Sequence, residues 1–290
     1  MRRRDSPSSC ESVSKSDVAT GINTAVVTGG GHGIGRAICR RLHRDGVNVV
    51  VADLDHAAAR VVAAELDGRS FAIDVGDEQQ IVELVAVVEG EVGPIDLFVS
   101  NAGVGFGDGE SGAASREGGL DACPDRWNAC WSVNVMAHVY AARALIPRMI
   151  GRGGGYLVNI ASAAGLLSQI GDAAYSATKH AAVAFAESLA ITHSEQGIRV
   201  SVVCPQAVAT RMIGIAEDSD RSDGGFGGND VDGILSPAEV ADCVVEGMRE
   251  GRFLILPHPQ VASYFQRKAS DHDRWISGMQ RFRRRLKGEQ

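Results

Sequence analysis

The sequence lacks three features that would place it in a specialised class of protein. It has no excess of positive charge, since it contains 29 Lys and Arg and 36 Asp and Glu, which give a net charge of −7. Proteins that mainly bind nucleic acid are basic instead. It has no apolar run near the roughly 18 to 20 residues that span a bilayer. No apolar segment follows the basic start at residues 1–4, so a signal peptide is not expected. We therefore expect a cytoplasmic protein with no nucleic-acid or membrane partner.

The sequence also offers little for metal or disulfide chemistry. It has six cysteines, and no two of them form a CxxC pair. This scatter argues against a zinc site and a small disulfide framework, and favours buried thiols in a reducing compartment. The six are Cys10, Cys39, Cys123, Cys130, Cys204 and Cys243. We predict no metal site.

What is present is the composition of a globular protein that is rich in glycine. With 44% apolar and 22% charged residues, a chain of 290 residues can bury a sizeable core, as one large domain or two small ones. Glycine accounts for 35 residues without a G-X-Y repeat. Collagen is therefore excluded, and tight turns or close backbone approach are the expected reasons for the glycines.

After residue 21, short β-branched runs alternate with longer helical patterns. Strands are predicted at 25–28, 48–53, 71–75, 95–100, 156–162, 198–204 and 253–256, and helices at 34–45, 56–66, 78–91, 124–150, 172–195 and 237–249. Strands that are apolar on both faces and joined by helices indicate a parallel sheet covered on both sides. The predicted fold is α/β, a doubly wound parallel sheet of about seven strands with helices on both faces.

Two loops and a basic run interrupt this alternation. Residues 103–123 are rich in Gly, Ser and acidic residues and predict an enlarged loop. Residues 217–233 predict either a mobile substrate lid, with Phe226 and Ile234 as anchors, or a passive surface loop. The run at 281–287 could contact nucleic acid, although a solvated helix end suits an acidic protein better.

A glycine-rich turn follows the first strand at residues 28–35 and opens a helix. Glycines at 29, 33 and 35 allow a tight turn and close approach, and the helix start offers N–H groups to a pyrophosphate. Asp53 follows at the end of the second strand, where a carboxylate can accept hydrogen bonds from an adenosine ribose. The next residue, Leu54, supplies no positive charge for a 2′-phosphate, which favours NAD over NADP. The alternative is a structural turn followed by a solvated Asp.

Polar residues also end the third and fourth predicted strands. Asp74 lies in the third, and Asn101, Ala102 and Gly103 follow the fourth. Because ligands of open α/β sheets bind outside the carboxyl ends of the strands, these residues suit a dinucleotide that lies across that edge. Each could instead be a turn residue or a cap.

Tyr175 and Lys179 stand four residues apart in a helical segment, so they share a helix face. A cation about 4 Å from a phenol could lower the phenol pKa by up to about 3 from its usual ~10. The tyrosine could then exchange a proton with an alcohol near neutral pH. Ser162, at the end of the fifth strand, could hydrogen-bond the substrate oxygen from the other side.

Together these motifs resemble the short-chain dehydrogenase/reductase family over residues 22–257. The resemblance is carried by the glycine motif, Asp53, Asn101-Ala-Gly103, Asn134, Asn159-Ile-Ala-Ser162, Tyr175-Ser-Ala-Thr-Lys179 and Cys204-Pro-Gln-Ala-Val-Ala-Thr210. It implies that Tyr175 is the general acid/base, that Ser162 orients the substrate, and that Lys179 binds the nicotinamide ribose and lowers the tyrosine pKa. It also implies that Asn134 holds a water in a proton relay from Lys179.

The resemblance extends the cofactor site to the loops after five strands. The expected cofactor-binding residues are Gly29, His32, Gly33, Ile34, Gly35, Asp53, Leu54, Asp74, Val75, Asn101, Ala102, Gly103, Tyr175, Lys179, Pro205, Val208 and Thr210. The chain then divides into a flexible tail (1–21), a single Rossmann-fold oxidoreductase domain (22–257) and a C-terminal helical extension (258–290).

One position departs from the family pattern. Gln206 follows Pro205 where the family usually has glycine, so its side chain either hydrogen-bonds the substrate or is merely tolerated in the loop. The other expected substrate residues are Ala164, Leu166, Leu167, Asp172 and Met212. Since this set is mostly apolar, it suggests a hydrophobic secondary alcohol such as a sterol-like, terpenoid or cyclic compound.

The sequence therefore predicts an NAD-dependent oxidoreductase that moves a hydride between nicotinamide and a secondary alcohol or ketone. An NADP-dependent ketoreductase and a non-catalytic NAD-binding sensor are the alternatives. The two predicted helices at 124–150 and 172–195 carry more small and apolar residues than one buried stripe requires. With the resemblance, this predicts a homo-oligomer, most simply a tetramer.

Overall fold

The computed structural model describes residues 21–107, 123–215 and 232–286. Within these residues seven strands form one parallel sheet, in the spatial order β3-β2-β1-β4-β5-β6-β7. The strands are β1 (Thr24–Thr28), β2 (Asn48–Asp53), β3 (Arg69–Ala72), β4 (Leu97–Ser100), β5 (Gly155–Ile160), β6 (Ile198–Val203) and β7 (Leu254–Ile255). The predicted doubly wound sheet is confirmed.

The helices cover both faces of this sheet. They are α1 (Gly33–Arg44), α2 (His56–Glu65), α3 (Glu78–Glu91), α4 (Pro124–Trp131), α5 (Ala137–Gly151), α6 (Ala173–His193), α7 (Pro237–Arg249), α8 (Gln260–Ser270) and α9 (His272–Leu286). One hydrophobic core lies between the sheet and α3, α5 and α6, and a second lies between the sheet and α1, α2 and α7. Every residue of β1 and β4 is buried, as expected for parallel strands covered on both faces.

The two halves of the fold meet between β1 and β4. In the sheet, β1 has β2 as its neighbour on one side and β4 on the other, so the strand order reverses at this point. Ligands of open α/β sheets bind at such a reversal, outside the carboxyl ends of the strands. The glycine turn after β1 and the segment after β4 are therefore placed next to each other.

Two predicted elements were wrong. The third strand ends at Ala72 rather than continuing to residue 75, because Asp74 Oδ1 accepts the Gly76 N–H at 2.9 Å and its own N–H goes to Gln80 Oε1. Such local side-chain bonds compete with pairing in a sheet. The helix expected over 124–150 is interrupted by a π-helical turn, Ser132–Met136, between α4 and α5. The other predicted boundaries agree with the structure to within two residues.

The C-terminal segment predicted to be helical contains α8 and α9. Parts of several predictions lie outside the described residues: the tail 1–20, residues 108–122 of the enlarged loop, residues 217–231 of the proposed lid with Phe226, and Lys287 of the basic run. In the described ranges, no helix is long and apolar enough to cross a membrane. Nor do the described side chains form a His, Cys, Asp or Glu group suited to a metal ion.

Candidate active site

The turn between β1 and α1 brings bare backbone to the carboxyl edge of the sheet. Gly29 has a φ of 62° and Gly33 a φ of 47°, a conformation that glycine adopts without strain. A Cβ added at Gly35 would collide with the Gly29 carbonyl oxygen. His32 occupies the N-cap of α1, but its imidazole lies 3.1 Å from Asp55 Oδ2 and does not cap the helix. This end of α1 can therefore present backbone N–H groups to an anion.

Asp53 ends β2 beside this turn. Its Oδ2 accepts the Gly31 N–H and its Oδ1 accepts the Asp55 N–H, each at 2.9 Å. The carboxylate is therefore fixed where the sequence placed a ribose acceptor, and it also holds the glycine turn. Leu54 beside it is 75% exposed, which leaves an apolar surface next to the carboxylate.

Asn101 links the end of β4 to the same turn. Its Nδ2 donates to the carbonyls of Thr28 and Gly29 at 2.9 and 3.1 Å, and its N–H donates to Thr28 Oγ1. Asp74 lies two residues beyond the end of β3 and closes its own turn on Gly76, while Val75 is buried in the core. The structure thus gives Asn101 a firm place at the edge and makes Asp74 the cap of a local turn.

The loop after β6 closes the other side of the glycine turn. A Cβ added at Gly33 would stand 3.0 Å from Thr210 Cγ2, so these two loops touch. Val208 is buried and pairs with Leu235, and Thr210 Oγ1 donates to the Val208 carbonyl at 3.2 Å. The segment predicted to contact the cofactor therefore reaches the glycine turn from the opposite side.

Ser162 and Tyr175 meet beside this cleft. Ser162 caps the 3-10 turn Ala163–Gly165, where its Oγ accepts the Ala164 N–H at 3.1 Å. Its hydroxyl donates to the Pro205 carbonyl at 3.4 Å and lies near enough to the Tyr175 hydroxyl to lower the pKa of that phenol. The backbone after β4 covers the tyrosine, since a Cβ at Gly105 would lie 3.1 Å from Tyr175 Cδ2. Serine and phenol can therefore bind the same substrate oxygen.

Lys179 lies one helical turn after Tyr175 and is buried. Its Nζ donates to the Ile160 carbonyl at 3.0 Å and lies 5.6 Å from the centre of the tyrosine ring. A Cβ at Gly103 would stand 3.2 Å from this Nζ and 3.3 Å from Asn134 Oδ1. Lysine, asparagine and the turn after β4 therefore converge at Gly103.

The predicted lowering of the tyrosine pKa by the lysine was wrong for this structure. Burial raises the pKa of Tyr175 to about 12, against a smaller lowering by its hydrogen bond with Ser162. Burial also lowers the pKa of Lys179 to about 8. The phenol is consequently neutral at pH 7 and ready to donate a proton.

Asn134 lies in the π-helical turn, and its side chain hydrogen-bonds the segment after β4. Its Oδ1 accepts the Val104 N–H and its Nδ2 donates to the Val104 carbonyl, both at 2.9 Å. Nδ2 also donates to Thr178 Oγ1 at 3.1 Å. π-helical turns are frequent at functional sites. Here the turn directs Asn134 to Val104 and Thr178, and the predicted water relay remains a prediction.

The predicted substrate residues do not form one open wall. Ala164 and Leu166 are buried, and Met212 is 46% exposed. Asp172 is also buried, with its carboxylate occupied by the N–H groups of Tyr175 and Gly107 at 3.0 and 2.9 Å. Asp172 is therefore the N-cap of α6 and an anchor for the loop after β4, a role that its position before a helix could have suggested.

Gln206 and the neighbouring Pro205 follow β6. The Gln206 N–H donates to His258 Nδ1 at 3.2 Å, and its buried Oε1 has no hydrogen-bond partner among the described residues. A buried amide oxygen of this kind suits a donor from water or from a substrate. The hydrogen bond from Gln206 to the substrate stays a prediction.

One buried residue beside the site carried no sequence signal. His138 lies on α5, one turn after Asn134, and within the described residues neither of its ring nitrogens has a hydrogen-bond partner. Burial lowers its pKa to about 3, and the charge of Lys179 adds to this effect. His138 is therefore neutral at the pH of the cell.

The groups at this sheet edge suit a nicotinamide dinucleotide. Gly35 packs directly on the Gly29 carbonyl, which brings the α1 N-terminus close to the turn, and Asp53 stands at one end. Tyr175 and Lys179 lie at the other end, beyond Gly103. This order along one sheet edge matches the order of adenosine ribose, pyrophosphate and nicotinamide in such a ligand.

Comparison with known proteins agrees with this geometry. The sequence profile described as short chain dehydrogenase matches residues 23–220. The chain is 37% identical over 238 residues to the 1-deoxy-11-beta-hydroxypentalenate dehydrogenase of Streptomyces exfoliatus, covering 80% of this chain and 81% of the relative.

Two solved structures share the fold. A short-chain dehydrogenase/reductase from Burkholderia phymatum in complex with NAD superposes with a TM-score of 0.74 and 27% identity, over 87% of this chain and 94% of the other. A short-chain dehydrogenase from Sphingobium yanoikuyae in complex with NADPH gives a TM-score of 0.70 over 88% and 96%. Its 21% identity supports the likeness of fold alone.

Proposed function

The chain belongs to the short-chain dehydrogenase family, whose members are oxidoreductases that use nicotinamide cofactors, and we propose that it prefers NAD and acts on a hydrophobic secondary alcohol or the matching ketone. The observation that carries this proposal is the placement of Ser162, Tyr175 and Lys179 beside the glycine turn. A sheet edge with the dinucleotide cleft alone would suit a binding protein equally well.

We assign the proton transfer in this reaction to Tyr175. In ketone reduction its neutral phenol donates to the carbonyl oxygen, while Ser162 hydrogen-bonds the same oxygen. In alcohol oxidation the phenolate takes the hydroxyl proton instead. The bound nicotinamide supplies or accepts the hydride, and the protein positions the two reactants.

We assign Lys179 to the cofactor site. Its ammonium donates to the Ile160 carbonyl and lies beside Gly103 and Asn134, and its remaining N–H groups would donate to the nicotinamide ribose. The water relay from Lys179 through Asn134 stays a prediction, and Asn134 also holds the segment after β4 through its hydrogen bonds to Val104.

The preference for NAD rests on charge. Asp53 is fixed by two backbone N–H groups, so it cannot easily turn away from a 2′-phosphate. The complex of the Burkholderia relative with NAD supports the assignment. NADP use is the second outcome to be tested.

The substrate class rests on the apolar residues after Ser162. Ala164, Leu166 and Leu167 are buried beside the serine, and the Streptomyces relative is named for oxidation of a hydroxylated compound. We therefore propose a bulky cyclic or terpenoid-like secondary alcohol. The cytoplasmic location and the homo-oligomer formed through α5 and α6 are part of the same proposal, and sedimentation at micromolar concentration tests the latter.

The test is a screen of purified protein with secondary alcohols of increasing size. NAD⁺ and NADP⁺ are supplied in parallel, and absorbance of the reduced nicotinamide is followed. We expect turnover with NAD⁺ and a rise in kcat/KM with apolar bulk. Binding of NAD⁺ without turnover on any alcohol would favour the sensor, and faster turnover with NADP⁺ would favour the ketoreductase.

A further inference from the structure

A lysine of the C-terminal extension reaches into the segment that follows the catalytic serine. Lys268 lies on α8, and its Nζ donates to the carbonyls of Leu166 and Leu167 at 2.7 and 3.1 Å. It also lies 3.1 Å from His180 Nε2 on α6. Three acceptors from two distant parts of the chain thus surround one ammonium group.

The tautomer of His180 makes the third contact a hydrogen bond. His180 Nδ1 lies 2.8 Å from the Ser176 carbonyl, which can only accept, so Nδ1 carries the proton. Nε2 is then an acceptor and receives a proton of the ammonium group. All three N–H bonds of Lys268 therefore have acceptors.

The backbone held by Lys268 is strained and closely packed. Ser168, next to the held carbonyls, has a φ of 147°, an unusual value for a residue with a side chain. On its far side the Gln169 N–H donates to Ser176 Oγ at 2.8 Å. At the near end, a Cβ at Gly165 would stand 2.5 Å from the Lys179 carbonyl. Strain of this kind persists only where the surroundings hold it from several sides.

We propose that Lys268 is a positioning residue for substrate specificity, because it holds the backbone of Leu166 and Leu167 in the segment that follows the catalytic Ser162, and this segment forms one wall of the alcohol site. The inference rests on the proposed function, since it names which residue shapes the alcohol site. Burial lowers the pKa of Lys268, which accords with an ammonium placed against carbonyls rather than in solvent.

The expected consequence differs between alcohols. A bulky alcohol must contact the wall to be aligned with Ser162 and Tyr175, whereas a small alcohol needs only the two hydroxyls. Loosening the wall should therefore reduce turnover of the bulky alcohol more. The hydrogen bonds of Lys268 go to none of the expected cofactor-binding residues, so NAD binding should be unaffected.

The test compares Lys268→Met with Arg267→Met, a matched control on the same helix. Arg267 is exposed, and its guanidinium lies 5.7 Å from the Tyr264 ring centre rather than on the substrate segment. Both variants lose one positive charge and keep an unbranched side chain. The measured quantities are kcat and KM for borneol and for 2-propanol, the Kd of NAD⁺, and the Tm.

For Lys268→Met we expect kcat/KM with borneol to fall about tenfold or more, since displacement of a positioning segment by about 1 Å can cost up to ~100-fold. We expect 2-propanol turnover and the Kd of NAD⁺ to change less than about threefold, with Arg267→Met close to wild type. Lys268→Arg, which retains the charge and donors, should recover part of the borneol activity. An equal loss for both alcohols, or a change in Tm alone, would overturn the assignment.

Hydrogen exchange separates this inference from the proposed function. If the wild type oxidises no alcohol, the proposed function fails. The positioning role is then read from residues 163–169, which should exchange faster in Lys268→Met than in Arg267→Met. Equal exchange in the two variants would show that Lys268 does not hold the segment.

Discussion

Acid should weaken this protein through His138. The imidazole is buried on α5 with both nitrogens unpartnered among the described residues, and its pKa falls from 6.5 to about 3. In the unfolded chain the same side chain takes up a proton near pH 6.5. Between these two pH values only the unfolded state is protonated, so the free energy of unfolding must decrease as pH falls.

The size of this effect follows from the pKa difference. At about 1.4 kcal/mol for each pH unit, the fall from 6.5 to about 3 corresponds to roughly 5 kcal/mol of stability. That stability is fully present above pH 6.5 and is lost by about pH 3. It is a large share of the 5 to 15 kcal/mol typical of a folded domain.

Urea unfolding at fixed protein concentration, repeated from pH 7.5 to 4, measures this dependence. We expect His138→Leu to have a shallower decline than wild type, by up to about 1.4 kcal/mol for each pH unit. His56→Leu, which removes an exposed histidine at the start of α2, is the matched control and should follow the wild-type curve. If His138→Leu kept the wild-type slope, the imidazole would not be buried and neutral.

Three further predictions concern the cleft. Asp53→Ala should weaken NAD binding about ten- to hundredfold, because it removes a charged acceptor worth ~1.5 to 3 kcal/mol, and it should reduce the preference of the protein for NAD over NADP. Asp53→Asn should retain more NAD affinity, and calorimetric titration measures the affinities of both variants. Gly35→Ala should lower stability by about 1 to 3 kcal/mol in urea unfolding, whereas Gly90→Ala, in open space on α3, should be neutral or stabilising. The rate of alcohol oxidation should rise with pH up to pH 10 without a plateau, since Tyr175 has a pKa of about 12 and the phenolate fraction keeps growing. A plateau in the rate below pH 9, with chemistry as the rate-limiting step, would contradict this.

The sheet could be predicted because buried parallel strands leave a direct sequence signal. Runs such as Val49–Ala52 are apolar on both faces, and the helices between them have regular apolar stripes. The third strand was misplaced because Ile73 and Val75 continue the apolar pattern after the chain has turned. Asp74 makes that turn through its side chain, and the hydrophobic pattern of a sequence does not reveal side-chain hydrogen bonds of this kind.

Only the part of the site chemistry that depends on residue spacing could be predicted from the sequence. The spacing of four residues from Tyr175 to Lys179 gives a shared helix face, but the environment of the phenol depends on Gly105 from another part of the chain. The π-helical turn had no local signature, because it is held by hydrogen bonds of Asn134 to Val104 and Thr178. Burial and long-range contacts of this kind follow from tertiary packing, not from a motif.

The central claim is that Tyr175 transfers the proton, and Tyr175→Phe tests it most directly. The variant removes one hydroxyl, and Tyr140→Phe removes a tyrosine hydroxyl on α5 as the control. We expect kcat/KM for the preferred alcohol to fall by about 10² to 10⁴, the usual contribution of a general acid/base, while the Kd of NAD⁺ stays within about twofold of wild type. Retention of more than about a tenth of wild-type kcat/KM would remove Tyr175 from the proton transfer.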